Sequence, residues 1–419
     1  MDRCRWLLLG LAIVVLLYAL QAFGPLRLDN DGIIYLSLAT SALDGHGFTF
    51  HGAPERYPLG YPALLFLLAR IGLGKPWAFV ALNLLLLLIG TLMSYRLLRT
   101  SFACPRSGAL EVCGLALLSF IAIKHVTQVV SDCAYFGVSM SALWALWKAE
   151  KRDGAAKFVP LTLAVALTAF SIWIRTIGIA LLPALLASLV GGLDGAKARW
   201  QRMRNKLAIG ALALVVLAAG VGGLFLMRSE YFRMALDNYR NRGVARSVEK
   251  AFQFQAAEWG EMTMNIPQSK LPGPLRTLVP VAGVAAFALA IWGVAQKKID
   301  AVDVYSVFYL IILCAAPWQD ARYLLPIVPL LFGYLGRAVK RLPAIRWAVV
   351  GYAVCFSLAG LLALGYSTRI TFAGAKFPDV YGDGSLRATY RRAFGQDATG
   401  PMDEDALELL KRYEPRARP

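Results

Sequence analysis

Residues Pro76–Tyr95 read PWAFVALNLLLLLIGTLMSY, 20 residues without a charge. A helix rising 1.5 Å per residue crosses roughly 30 Å of hydrocarbon in about 20 residues, and it satisfies its own backbone amides on the way. The stretch therefore reads as a transmembrane helix. Trp6–Leu26, Leu207–Met227, Thr277–Gln296 and Trp347–Thr368 are equally charge-free. Shorter apolar runs lie at Cys133–Trp147, Phe158–Ile174, Thr176–Leu193, Val304–Gln319 and Tyr323–Gly336, with Val112–Ile123 between Glu111 and Lys124. Together they predict an all-α integral membrane protein of about eleven transmembrane helices. The first run is too long for a signal-peptide core and is followed by no small-x-small cleavage site, so it reads as the first span.

The chain carries a formal charge of +18, which by itself could suggest nucleic acid. The positions of the cations exclude that partner. Arg96, Arg99 and Arg106 form one cluster, and Lys148, Lys151, Arg152 and Lys157 the next. Further clusters run from Lys197 to Lys206, at Lys297 and Lys298, and from Arg337 to Arg346. They fall at alternate span ends, as the positive-inside rule requires of cytoplasmic connections. The partner implied is a lipid bilayer. Six cysteines without a CxxC and three histidines without an HExxH give no redox or metal signature. No GxGxxG or P-loop is present to bind a nucleotide.

This topology makes residues 1–368 a multi-span membrane domain with two large outer loops, 25–75 and 228–276, and leaves 369–419 as a short outer tail. In the first loop Asp29, Asn30 and Asp31 are helix N-cap types ahead of an apolar run that Gly45 and Gly47 stop. The helix between is too short to span and suits the membrane interface. Tyr57-Pro-Leu-Gly-Tyr-Pro62 follows, and Ala63–Ala69 reads as a re-entrant or tilted half-helix. The polar tail reads as a surface appendage with a helix at Met402–Tyr413.

Two acids and three cations at outer helix ends are the candidates for chemistry. Asp31 and Asp132 stand where a carboxylate caps a helix, or where a half-buried one serves as a base. Lys124, Arg175 and Arg322 either reach for headgroups or clamp a phosphate. Arg322 leads the clamp, because the apolar span from Tyr323 would flank the chain of a lipid-linked phosphate; pairing with Asp320 is its other possible role.

The ordered motifs Asp31-x-x-x-Tyr35-x-x-x-Ala39, Gly45-His-Gly-Phe48, Tyr57-Pro-Leu-Gly-Tyr-Pro62, Ser131-Asp132, Arg175-Thr-Ile-Gly178 and Ala321-Arg-Tyr-Leu-Leu-Pro-Ile-Val-Pro329 resemble those of GT-C membrane glycosyltransferases. That family includes aminoarabinose transferases and protein O-mannosyltransferases, and the resemblance covers about residues 25–335. It implies an inverting sugar transfer from a polyprenyl-phosphate donor to a lipid, glycan or protein acceptor, in a bacterial inner membrane, on its periplasmic face. Asp31 would be the base, with Asp29 the alternative and Asp132 the second acidic site. Tyr35, Glu55, Arg56, Tyr57, Tyr61 and Tyr323 would line the substrate loop. No cofactor is firmly implied; a divalent metal on Asp31 and Asp132 is the alternative to positive side chains at the phosphate. The acidic pair of the mannosyltransferases is missing, which counts against protein acceptors. A transporter would place ionisable residues near mid-span and break its helices in matching halves, whereas these acids sit at the rim. A non-catalytic lipid-binding assembly protein on the same fold is the other alternative.

Overall fold

The computed structural model describes residues 2–54, 57–152, 154–191, 243–296, 299–315, 320–381 and 386–416, with a few isolated positions between 233 and 241. Five helices in it are long and apolar enough to cross a membrane: Arg3–Phe23, Pro76–Thr100, Gly154–Ile174, Gly273–Ala295 and Trp347–Thr371. Arg106–Leu117 and Phe120–Val126 make a sixth if the pair, bent by 57°, counts as one span. Leu207–Met227 lies outside the described residues.

Among the described residues the other expected spans are short, broken or, for Asp132–Glu150, less apolar, so five or six of the expected eleven stand out by length and composition. Tyr323–Gly336 divides into a 3-10 turn, Ala321–Ile327, and a helix, Val328–Val339, around Pro326 and Pro329. Thr176–Ala180 is likewise a 3-10 turn ahead of Leu181–Gly191. The helix Asp132–Glu150 is buried along nearly its whole length. Surrounded by protein rather than lipid, it carries Ser139, Ser141 and two tryptophans without an apolar face toward hydrocarbon.

Five elements position the site. Helix α1 (Asn30–Leu43) is the short helix expected after the acidic cap; Asp29 caps it, accepting from Gly32 N at 2.7 Å. Gly45 and Gly47, both at positive φ, end it as the sequence predicts. Helix α2 (Gly60–Leu68) is the half-helix after the Tyr-Pro turn. Helix α3 (Asp132–Glu150) packs along α4 (Phe158–Ile174). The turn Ala321–Ile327 completes the set.

The tail departs from expectation. Its helices α5 (Phe377–Tyr381), α6 (Arg387–Ala393) and α7 (Glu404–Tyr413) are docked rather than appended. On α7 the face formed by Ala406, Leu407, Leu409, Leu410 and Tyr413 is buried. Asp403 caps the helix, Glu404 and Asp405 stand in its first turn, and Lys411 and Arg412 in its last, each on the favoured end of the dipole. Tyr413 Oη lies 2.9 Å from Thr40 Oγ1 of α1, and Arg412 forms a bidentate pair with Asp44. The apolar spacing was readable, but the partner face on α1 was not.

Candidate active site at the converging helix ends

Asp29 takes the capping role, which leaves the Asp31 carboxylate free of it. Asp31 Oδ2 lies 2.6 Å from Arg322 Nη2, and the Tyr57 hydroxyl is 3.5 Å from Asp31 Oδ1. Asp29 Oδ2 is 3.6 Å from Arg322 Nη1. Asp320 Oδ2 is 3.0 Å from Arg322 Nε. That contact lies off the N–H direction and is ionic, since Nε makes no hydrogen bond among the described residues. Asp320 also caps its own turn, accepting from Arg322 N at 3.0 Å. One guanidinium thus faces three carboxylates.

The second half of the site is a single pair. Asp132, the first residue of α3, is buried and bonded to Arg175 at the end of α4. Ser131, not Asp132, occupies the cap position. The ring of Tyr323 joins the halves: Arg175 lies over it at 4.7 Å and Arg322 at 5.3 Å. Tyr309 Oη holds the Tyr323 carbonyl at 2.6 Å.

The Tyr-Pro motif explains how the first loop meets Arg175. A Cβ on Gly60 would sit 2.8 Å from the backbone of Trp173 and Ile174, so only glycine lets the loop rest against the end of α4. A Cβ on Gly178 would meet Ser171 and Ile172 backbone at 2.7 Å, which folds the Arg-Thr-Ile-Gly turn back on the same helix end. Tyr35 stacks edge-on against Tyr57 and Tyr61, and its hydroxyl is 3.3 Å from Ser131 Oγ. Tyr61 donates to Asn83, which in turn donates to the Gln128 carbonyl.

Charge follows this geometry. Burial acts against the Arg322 guanidinium, yet Asp132, Tyr323, Asp31 and Asp320 hold its pKa above the ordinary value. Burial raises Asp29 to about 6, against the opposing pull of Arg322 and the Gly32 N–H.

Asp29, Asp31, Asp132, Arg175, Arg322, Tyr35, Tyr57, Tyr61 and Tyr323 are therefore brought together. Lys124 is not on either carboxylate pair; it is exposed, and its charge is felt at Glu261. Glu55 and Arg56 lie outside the described residues. Among the described residues no group of three or more His, Cys, Asp or Glu is arranged to hold a metal ion. Asp31 and Asp132 each face a guanidinium instead.

Sequence reasoning gave Asp320 no role beyond a partner for Arg322, although its N-cap spacing was a visible signal. It missed Glu258, buried on the helix Val244–Met264. Burial pushes that carboxyl up to about 8, against a backbone hydrogen bond from Asp320. Nothing in the local sequence marks Glu258 apart from Glu249 or Glu261.

No family model matches the chain, and no curated protein matches it. Among solved structures, the chain is similar to ArnT from Cupriavidus metallidurans bound to undecaprenyl phosphate, at 16% identity and TM-score 0.44, covering 98% of this chain and 85% of that one. It is similar also to ArnT from Cupriavidus metallidurans in the apo state, at 18% identity and TM-score 0.45, covering 98% of this chain and 84% of that one. At these values the likeness assigns no residue a role.

Proposed function

We propose that this integral membrane protein transfers a sugar from a polyprenyl-phosphate donor to an envelope lipid, glycan or protein acceptor at the outer face of its membrane. One observation carries the reading. Asp31 lies 2.6 Å from Arg322, in a cluster of two arginines and four carboxylates gathered from separate helix ends. Such a cluster offers a proton acceptor and a phosphate ligand side by side.

The chemistry is an inverting displacement. The acceptor hydroxyl attacks the anomeric carbon and Asp31 takes its proton. The new C–O bond forms as the bond from the anomeric carbon to the phosphate oxygen breaks. Polyprenyl phosphate leaves as an anion, which needs positive charge rather than a general acid. Arg322 supplies it through the planar fork that suits phosphate. Its three carboxylates hold it in place until the phosphate arrives, and the phosphate then competes with Asp31 for the same nitrogens. Donor binding in this scheme frees the base.

The test is release of polyprenyl phosphate from a polyprenyl-phosphate-linked sugar by the reconstituted protein. Mass spectrometry of envelope glycans and lipids with and without the gene identifies the acceptor. No donor-dependent turnover with any envelope acceptor, from well-folded protein, would overturn the reading.

A further inference from the structure

Asp29 and Asp31 follow an extended stretch, Leu26–Leu28, that belongs to no sheet beyond a single bridge between Arg27 and Gln128. A buried strand must still find partners for its backbone polar groups. Here the partners are side chains from the far end of the chain. Leu26 N donates to Glu414 Oε2 at 2.6 Å, and the Leu26 carbonyl accepts from Tyr390 Oη at 3.0 Å. Leu28 N donates to Tyr390 Oη at 2.9 Å, and the Leu28 carbonyl accepts from Tyr381 Oη at 2.9 Å. All four backbone groups of Leu26 and Leu28 are thus held by three tail residues. Glu414 and Tyr390 are buried. Between the two leucines, Arg27 anchors the strand sideways on Thr127, Ser367 and Thr371.

We infer that Tyr390, with Tyr381 and Glu414, is a positioning device for the active-site acids: the tail sets the backbone at Leu26–Leu28, and through it the register of Asp31 on Arg322. A tail that served stability alone would need only its apolar faces. These hydroxyl and carboxyl groups instead converge on the residues that immediately precede Asp29. Tyr390 Oη acts as acceptor and donor at once, so it reads two neighbouring residues of one strand and fixes their spacing. A shift of about 1 Å at a reacting group can cost on the order of a hundredfold in rate.

This inference rests on the transferase reading, and its test keeps the two separable. Full-length Tyr390→Phe removes both hydrogen bonds and opens no cavity. Hydrogen exchange at Leu28 and Gly32, turnover at saturating donor, donor KM and thermal melting are measured together. Arg412→Ala, on the exposed Asp44 pair, controls for loosening of the tail. Expected is faster exchange at Leu28 and Gly32 in Tyr390→Phe with the rest of the tail unchanged, kcat lower by roughly tenfold or more, KM close to wild type, and a modest melting drop from the two backbone groups left unpaired. Glu414→Gln keeps an oxygen acceptor and should retain most activity, whereas Glu414→Ala should not. Unchanged exchange at Leu28 overturns the inference. So does a melting drop with exchange rising over the whole tail and kcat falling equally in Arg412→Ala, which marks a structural role only. If wild-type protein transfers no sugar, the transferase reading fails, and the exchange arm still decides whether the tail holds the strand.

Discussion

Two arginine–carboxylate units meet across the ring of Tyr323, and they are built differently. Arg175 and Asp132 are 10% and 1% exposed and form a one-to-one ion pair, with Asp132 acting on Arg322 only through its charge. Arg322 is 11% exposed but faces Asp31, Asp29 and Asp320, which are 15%, 26% and 37% exposed. A buried single pair has no room for exchange, and removing one partner strands a charge in low dielectric. A cation shared among partly open carboxylates can give up one partner and keep the others. The closed pair is thus a fixture that fastens α3 to the end of α4. The open unit is where a phosphate can replace a carboxylate.

The largest expected effect falls on the closed pair. Asp132→Ala leaves Arg175 buried without its anion and should cost about 3–5 kcal/mol of stability. It would be seen as loss of thermal stability or of extractable folded protein. The double variant Asp132→Asn with Arg175→Gln should recover much of that loss. If Asp132→Ala melts like wild type, the pair is no fixture and the contrast between the two halves disappears.

Next comes the base. Asp31→Asn is nearly isosteric, and Asp29 and Asp320 still hold Arg322, so the fold should persist. Turnover at saturating donor should fall about 100-fold or more. An active Asp31→Asn beside a dead Asp29→Asn would move the base two residues back along the chain.

A smaller effect is expected for Arg322→Lys, which keeps the charge and loses the fork. Donor binding should weaken about tenfold, roughly 1.4 kcal/mol, with melting little changed. A donor-titrated assay that cannot tell Lys from Arg at this position would remove the phosphate-clamp argument.

Which parts of this arrangement were readable beforehand follows from where the physics is local. Charge-free runs of spanning length, the caps before α1 and the stops at Gly45 and Gly47 are written in neighbouring residues. So were Asp31, Asp132, Arg175 and Arg322, because acids and cations at apolar helix ends stand out one by one. Their pairing was not readable: Arg322 reaches Asp31 across 291 positions. The strand at Leu26–Leu28 shows the same limit, since its partners, Tyr381, Tyr390 and Glu414, lie in a tail whose sequence looks like a solvated appendage. The break between Ala321–Ile327 and Val328–Val339 had a visible signal in Pro326 and Pro329, whereas nothing in the apolar run of α3 showed that it would be buried along nearly its whole length.

The smallest expected effect, a pH dependence, separates Asp29 as a cap from Asp29 as a base. Burial raises its carboxyl to about 6. For a carboxyl raised above its ordinary value, the folded protein holds the proton up to about that pH. The charge then appears as pH rises through 6, and it appears 3.6 Å from Arg322. If Asp29 only caps α1 and shares Arg322, its ionisation adds a rival for the guanidinium. Donor affinity should then weaken modestly as pH rises through about 6, by a factor of roughly two to three, as befits a pair that is part-exposed and loosely held. The phosphodiester of the donor does not titrate there, so the inflection belongs to the protein. Asp29→Asn should abolish the inflection and leave turnover high. If Asp29 is the base, the sign reverses: turnover rises through pH 6, and Asp29→Asn is inactive across the whole range. A donor titration at several pH values on wild type, Asp29→Asn and Asp31→Asn decides between them.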